Sequence, residues 1–227
     1  FTSNFGHIPL FGGAAADNLT FTGTYVSNNN ERSDDAVAVM LFKMNKPFYY
    51  NHYVNFLPTN TDFIVTRAEP EKHIIWEINN QPAADYYANI IGLNKGDEVK
   101  SEHFSRNPLG IVIGDSVYAR SPIEIIEGKG LRFYCYIESG TKMQLLKHTD
   151  IIENARKVVV DAKEYLNNIE GGILFNCVLR YLEIKELNKL DEYANIFSDF
   201  PFIGFNTFGE ELFTHHNQTL TALFIGS

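Results

Sequence analysis

The amino-acid sequence predicts an α+β fold: largely antiparallel β-sheets packed against a few amphipathic helices, a sheet-rich sandwich with flanking helices. Three observations carry that expectation. Runs of Val, Ile, Phe and Tyr bounded by Gly, Pro and Asn recur along the chain, which is strand patterning. One long segment, from about Ile151 to Asn168, instead repeats apolar residues at helical spacing. Hydrophobic residues make up 44% of the 227, a content suited to a packed core.

Taken in order, Asn28-Asn29-Asn30 reads as a turn after a first strand over Thr20 to Val26. Ala36 to Phe42, a continuous apolar run, reads as a buried strand. Phe48 to Leu57 is rich in Tyr, Phe and Val, and Pro58 and Pro70 punctuate the chain beyond it. Lys72 to Ile78 alternates as a strand. Asn79-Asn80-Gln81-Pro82 then opens a helix with Pro in its first turn, carried by Ala83, Ala84, Tyr87, Ile90 and Ile91 and closed by Gly92.

From Pro108 to Leu146 strand succeeds strand, and Leu131 to Ile137, apolar on both faces apart from Arg132, should be central. The long helix begins at Asp150 with Glu153 three residues on, and Gly171-Gly172 stops it. Ile173 to Val178 reads as a buried strand, Arg180 to Ser198 as a second, more charged amphipathic segment. Phe202 to Phe205, Phe208 to Phe213 and Thr219 to Ile225 complete a sheet-rich C-terminal region.

Composition narrows the function. The charge of -9 is distributed, without a basic stripe, so the field repels nucleic acid and anionic headgroups. No nucleic-acid partner and no membrane insertion are expected, because no apolar run approaches the length of a bilayer span. Cys135 and Cys177 sit in apolar runs, where a thiol behaves as a small hydrophobe, and no signal-peptide pattern opens the chain. A cytoplasmic protein is expected. The start on Phe1 rather than Met reads as a fragment of a longer protein.

No enzyme signature is present, neither a Gly-x-Ser-x-Gly elbow nor a His-Glu-x-x-His helix, and the expectation is a non-enzyme with no catalytic residues. Phe11-Gly12-Gly13-Ala14-Ala15-Ala16-Asp17 lacks the Lys of a phosphate loop and reads as a structural turn, with a cleft lining as the alternative. His215-His216 lies near Glu210 and Glu211, yet neighbours on a strand face opposite ways, so no metal site is expected. Cys177 has Arg180 just beyond it, which can activate a thiol, while core packing is the other reading.

Five separated runs together resemble the FIST family. They are Asn107-Pro108-Leu109-Gly110, Arg120-Ser121-Pro122, Gly172-Ile173-Leu174-Phe175-Asn176-Cys177 with Arg180, Gly204-Phe205-Asn206-Thr207-Phe208-Gly209-Glu210, and His216-Asn217-Gln218-Thr219-Leu220-Thr221. The resemblance implies the closing part of a FIST N domain over residues 1–69 and a FIST C domain over 70–227. It further implies an intracellular sensory module that binds an amino acid or related small metabolite. Occupancy would pass to an output protein such as a histidine kinase or a cyclic-dinucleotide enzyme. Haem-based nitric-oxide sensing and a protein-interaction scaffold are the alternatives it leaves, and no cofactor other than haem is suggested.

Within those runs Arg120 offers a fork for a carboxylate, with Ser121 beside it. Asn176, Asn206, Thr207 and Asn217 offer neutral donors and acceptors for an amine or amide. Cys177, Arg180, Glu210 and His216 complete the expected ligand-binding set. The same groups would serve equally to satisfy buried backbone at strand ends.

Overall fold

The structure is a computed structural model and describes residues 8–20, 22–94, 97–212 and 214–227. Phe11–Gly13 is β1. Val26–Asn28 (β2) and Glu31–Ser33 (β3) form a hairpin through Asn29, whose φ of 54° is one that asparagine tolerates. The expected buried strand over Ala36 to Phe42 does not form. The segment has no regular structure and is exposed throughout, Val37 at 84% and Leu41 at 78%. Apolar content signals a need for cover, but a strand also needs a partner edge, and among the described residues none pairs with this run.

β4 is Phe48–Val54 and β5 is Phe56–Glu69, fourteen residues that run through Pro58 rather than stopping there. Pro58 is accommodated opposite Leu146, where the register shifts between Gln144 and Leu146, and bulges of that kind are where sheets admit proline. Pro70 does interrupt the chain, opening a single turn of 3₁₀ helix at Pro70–Lys72. β6 is Ile74–Ile78 and β7 is Gln81–Pro82, joined by Asn79 and Asn80 with φ of 49° and 61°. Helix α1 is Ala83–Ile90, with Gly92 just past it at φ +81°. Helix α2, Ser101–Arg106, is too short and polar to have been visible in the pattern.

Five strands come next: β8 Leu109–Ile113, β9 Ser116–Arg120, β10 Pro122–Ile126, β11 Gly130–Phe133 and β12 Lys142–His148. β11 is interior to its sheet, as expected of Leu131. It is shorter than expected, however, because the chain leaves the sheet after Phe133, with Cys135 and Ile137 still buried.

Helix α3 is Ile151–Tyr165 and β13 is Ile169–Cys177. Gly171-Gly172 therefore lies inside a strand instead of ending the helix. A Cβ at Gly172 would meet the Phe224 ring at 3.1 Å, which explains the missing side chain. The charged amphipathic segment is two helices, α4 Val178–Glu186 and α5 Leu190–Ile196, parted near Asn188 at φ 56°. The last strands are β14 Phe202–Thr207, β15 Glu210–Leu212, β16 Thr214–His216 and β17 Thr219–Gly226. Phe213, at the end of the expected strand over Phe208 to Phe213, lies outside the described residues.

The chain divides into two compact units. The unit Val54–Asp150 holds one sheet in the order β10-β11-β6-β5-β12-β8-β9, with β7 beside β6 and all pairings antiparallel. Its core gathers Phe63, Val65, Ile75, Leu131, Phe133 and Met143 with Tyr87 and Phe104 from α1 and α2.

The other unit, Phe1–Tyr53 with Ile151–Ser227, holds a sheet in the order β14-β13-β17-β4, a small sheet β1-β15-β16 and the hairpin β2-β3. Ala155, Val158, Val159 and Ala162 of α3 pack on Leu174, Leu220, Ala222 and Phe224 of the larger sheet. Each of the larger aliphatic or aromatic side chains buried in that set contributes roughly 1.5–3 kcal/mol. The β13–β14 pair is parallel, and α4 and α5 make its crossover, so both strands end at the same edge. β14 lies at the margin of its sheet with Phe202, Ile203 and Phe205 exposed.

Candidate functional site

In open sheets the carboxyl ends of parallel strands are where ligand-contacting side chains collect. The parallel register sets Asn176 beside Asn206 and Cys177 beside Thr207. Two tripeptides, Phe175-Asn176-Cys177 and Phe205-Asn206-Thr207, thus stand side by side at one edge, and that repeated Phe-Asn was the signal in the sequence that could have announced the pairing.

Asn176 is buried and its amide is engaged from three sides. Its Nδ2 donates to Asn206 Oδ1 at 3.0 Å, and its Oδ1 accepts from Arg180 Nε and from the Tyr193 hydroxyl, both at 3.2 Å. Arg180, on the first turn of α4, is 1% exposed, one of the largest side chains held wholly inside. Tyr193, on α5, has its hydroxyl pushed above the ordinary range by burial, with Arg180 opposing. Nothing in the spacing of the chain pointed to Tyr193. Asn206, by contrast, is exposed.

A second knot adjoins it through Thr207, whose hydroxyl lies 3.2 Å from the Asn176 carbonyl. Glu210, on β15, is wholly buried and its Oε1 meets the Thr207 hydroxyl. Its Oε2 accepts from the Thr219 backbone N–H at 3.2 Å and from the Thr219 hydroxyl at 2.8 Å. The Cys177 thiol also bonds to this carboxyl, and its sulfur accepts the N–H groups of Leu179 and Gln218. Burial pushes the Cys177 thiol far up, with the Glu210 charge next and Arg180 opposing. Of the two readings of Cys177, the geometry supports the packed, unreactive thiol.

His216 is the cross-strand partner of Glu210, is fully buried, and stacks on His52 of β4 with ring centroids 4.3 Å apart. Its Nε2 lies 3.3 Å from the Leu212 carbonyl. His52 is held below its usual range by burial. His215 points the other way, to Glu211 at 3.2 Å and to the amide of Asn217 at 3.1 Å. Asn217 is 2% exposed. Among the described residues no group of three or more His, Cys, Asp or Glu is arranged to hold a metal ion.

The small-residue stretch at the start of the chain acts as structure here. β1 pairs with β15, and a Cβ on Gly13 would collide with Thr207 Cγ2 and sit 3.2 Å from Phe175 Cδ1. Gly13 is small because Thr207 occupies that space.

Arg120 and Ser121 belong to the other unit, at the end of β9. Arg120 is partly buried. Its Nη1 donates to the Ala119 carbonyl at 3.1 Å, while its Nε is buried without a hydrogen-bond partner. No carboxylate among the described residues pairs with it, whereas Arg67, Arg132 and Arg156 each have one. Ser121 is buried at 1% exposure, and its carbonyl accepts the Tyr134 N–H at 3.3 Å. The Arg120 charge acts on the Cys135 thiol, against a burial that pushes the thiol up to about 11.

Comparison with known families matches residues 1–81 to the FIST N domain and residues 83–212 to the FIST C domain. No curated protein and no solved structure matches the chain. No helix among the described residues is long and apolar enough to cross a membrane.

Proposed function

We propose that this chain, which belongs to the FIST family of sensory domains, binds a small carboxylate-bearing metabolite, an amino acid or close relative, and relays its occupancy to a signalling output protein. The observation that carries the ligand class is Arg120. A guanidinium drawn partly out of water ordinarily finds a carboxylate, because each unmet donor in a low-dielectric setting costs on the order of 1–3 kcal/mol. Arg120 has a buried Nε with no acceptor and no acidic neighbour paired to it among the described residues. A carboxylate ligand supplies both.

The output partner, a histidine kinase or a cyclic-dinucleotide enzyme, is suggested by the family and not by any surface of the chain. The test is a thermal-shift screen against amino acids and small carboxylates, run on wild type and Arg120→Ala. A ligand present at about a hundred times its Kd stabilises the folded state by about 2.7 kcal/mol, which such a screen resolves. A shift abolished by Arg120→Ala supports the reading. A screen without any shift on folded protein overturns it.

A further inference from the structure

We infer that Glu210 is a buried carboxylic acid that keeps its proton in the folded protein, and that losing this proton rearranges the strand ends carrying Asn176 and Thr207. The inference stands on hydrogen-bond counting and is independent of the sensory reading.

The Thr207 hydroxyl has one proton and two neighbours that can only accept if Glu210 is ionised: the Asn176 carbonyl at 3.2 Å and Glu210 Oε1. One proton cannot serve both. The contradiction vanishes when Oε1 carries a proton: Glu210 donates to Thr207 Oγ1, and Thr207 donates onward to the Asn176 carbonyl. The other oxygen, Oε2, is then left as the acceptor that the Thr219 N–H and hydroxyl require. In the order Glu210 to Thr207 to Asn176 both contacts of the Thr207 hydroxyl are met: it accepts the Glu210 proton and gives its own to the Asn176 carbonyl.

The surroundings favour the neutral acid. Facing it are Thr207 from β14, Thr219 from β17, the Cys177 thiol from β13 and the cross-strand His216 from β16. His52 of β4 packs against His216, and β1 contributes Gly13, the register partner of Glu210, which carries no charge. Arg180 of α4 acts on Cys177 and is bonded to Asn176. Burial is the largest influence on the carboxyl and lifts it to about 7, against hydrogen bonds from Thr207, Thr219 and Cys177 that lower it.

Above that pH the carboxylate must draw the Thr207 proton to itself and strip it from the Asn176 carbonyl. Asn176 is the residue on which Arg180, Tyr193 and Asn206 converge, so the change reaches the edge of the parallel pair. The sign of the pH effect is fixed by linkage. The folded state holds the proton more tightly than the unfolded chain, so the stabilisation is fully present below the ordinary carboxylate range and is lost as pH rises through about 7.

Two measurements test this. Urea unfolding from about pH 4.5 to about pH 8.5, for wild type and Glu210→Gln, reads the linkage: the amide of Gln reproduces both the donor and the acceptor without titrating. Wild type is expected to gain on the order of a hundredfold in its unfolding constant across that range beyond any change in the variant. Parallel profiles overturn the inference. Difference infrared spectroscopy of wild type reads the carbonyl stretch of a protonated carboxyl without needing a variant that folds. A band present at about pH 6 and lost by about pH 8.5 supports the inference, and its absence at the lower pH overturns it.

Discussion

Replacing Asn176 by Ala and, separately, Asn206 by Ala should separate two residues that look identical in the sequence. Both come directly after a Phe, and they sit side by side in the register of β13 and β14. Asn176→Ala removes the acceptor for Arg180 Nε and for Tyr193 and the donor to Asn206. A hydrogen bond to a charged group is worth about 1.5–3 kcal/mol and a neutral one about 1 kcal/mol. With Arg180 at 1% exposure, water does not replace the lost acceptor, so the expected destabilisation is about 3 kcal/mol. Asn206→Ala removes only the exposed side of the pair and should cost less than about 1 kcal/mol. The assay is urea denaturation followed by far-ultraviolet circular dichroism, because Trp76 lies in the other unit and its emission would miss the event. Equal losses for the two variants, or a loss below about 1 kcal/mol for Asn176→Ala, would refute the account of the network.

Three further outcomes are expected. Gly13→Val drives a branched side chain into Thr207 and Phe175 and should destabilise by about 1–3 kcal/mol, measured in the same assay. Cys135 and Cys177 should both resist iodoacetamide at about pH 8 in the native protein and react fully in urea, since both are buried and both thiols are held above their ordinary range. Val39→Lys combined with Leu41→Lys should leave the stability to urea unchanged within about 0.5 kcal/mol and lower light scattering at high protein concentration, because those side chains are already in water.

The elements that the pattern identified best are those whose partners are near in sequence or whose period is long. The stripe Ile152, Ala155, Val159, Ala162 announces α3 because fifteen residues repeat it, and the run Thr219 to Ile225 is β17. The failures share a cause. Gly171-Gly172 reads as a stop until the Phe224 ring that needs the space is known, and that ring lies about fifty residues away in sequence. Ala36 to Phe42 reads as a strand because hydrophobicity reports demand for cover and not the presence of an edge. The site divides in the same manner. Asn176, Arg180, Thr207 and Glu210 were in the set that the family resemblance nominated, and they do converge. Tyr193, Thr219 and His52 were not, since each is an ordinary residue in its own segment and acquires its role only from what the fold lays against it.

The bare run from Ala36 to Phe42 also governs how this protein behaves in a crowd. Seven uncharged residues without Pro or Gly are the composition from which intermolecular strands are built, and β14 leaves a sheet margin flanked by Phe202, Ile203 and Phe205 for such strands to join. What holds copies apart is the charge of -9, whose repulsion weakens as salt shortens its reach. Self-association through this run is therefore expected to rise with ionic strength, read as light scattering of the same protein in dilute buffer and in concentrated salt.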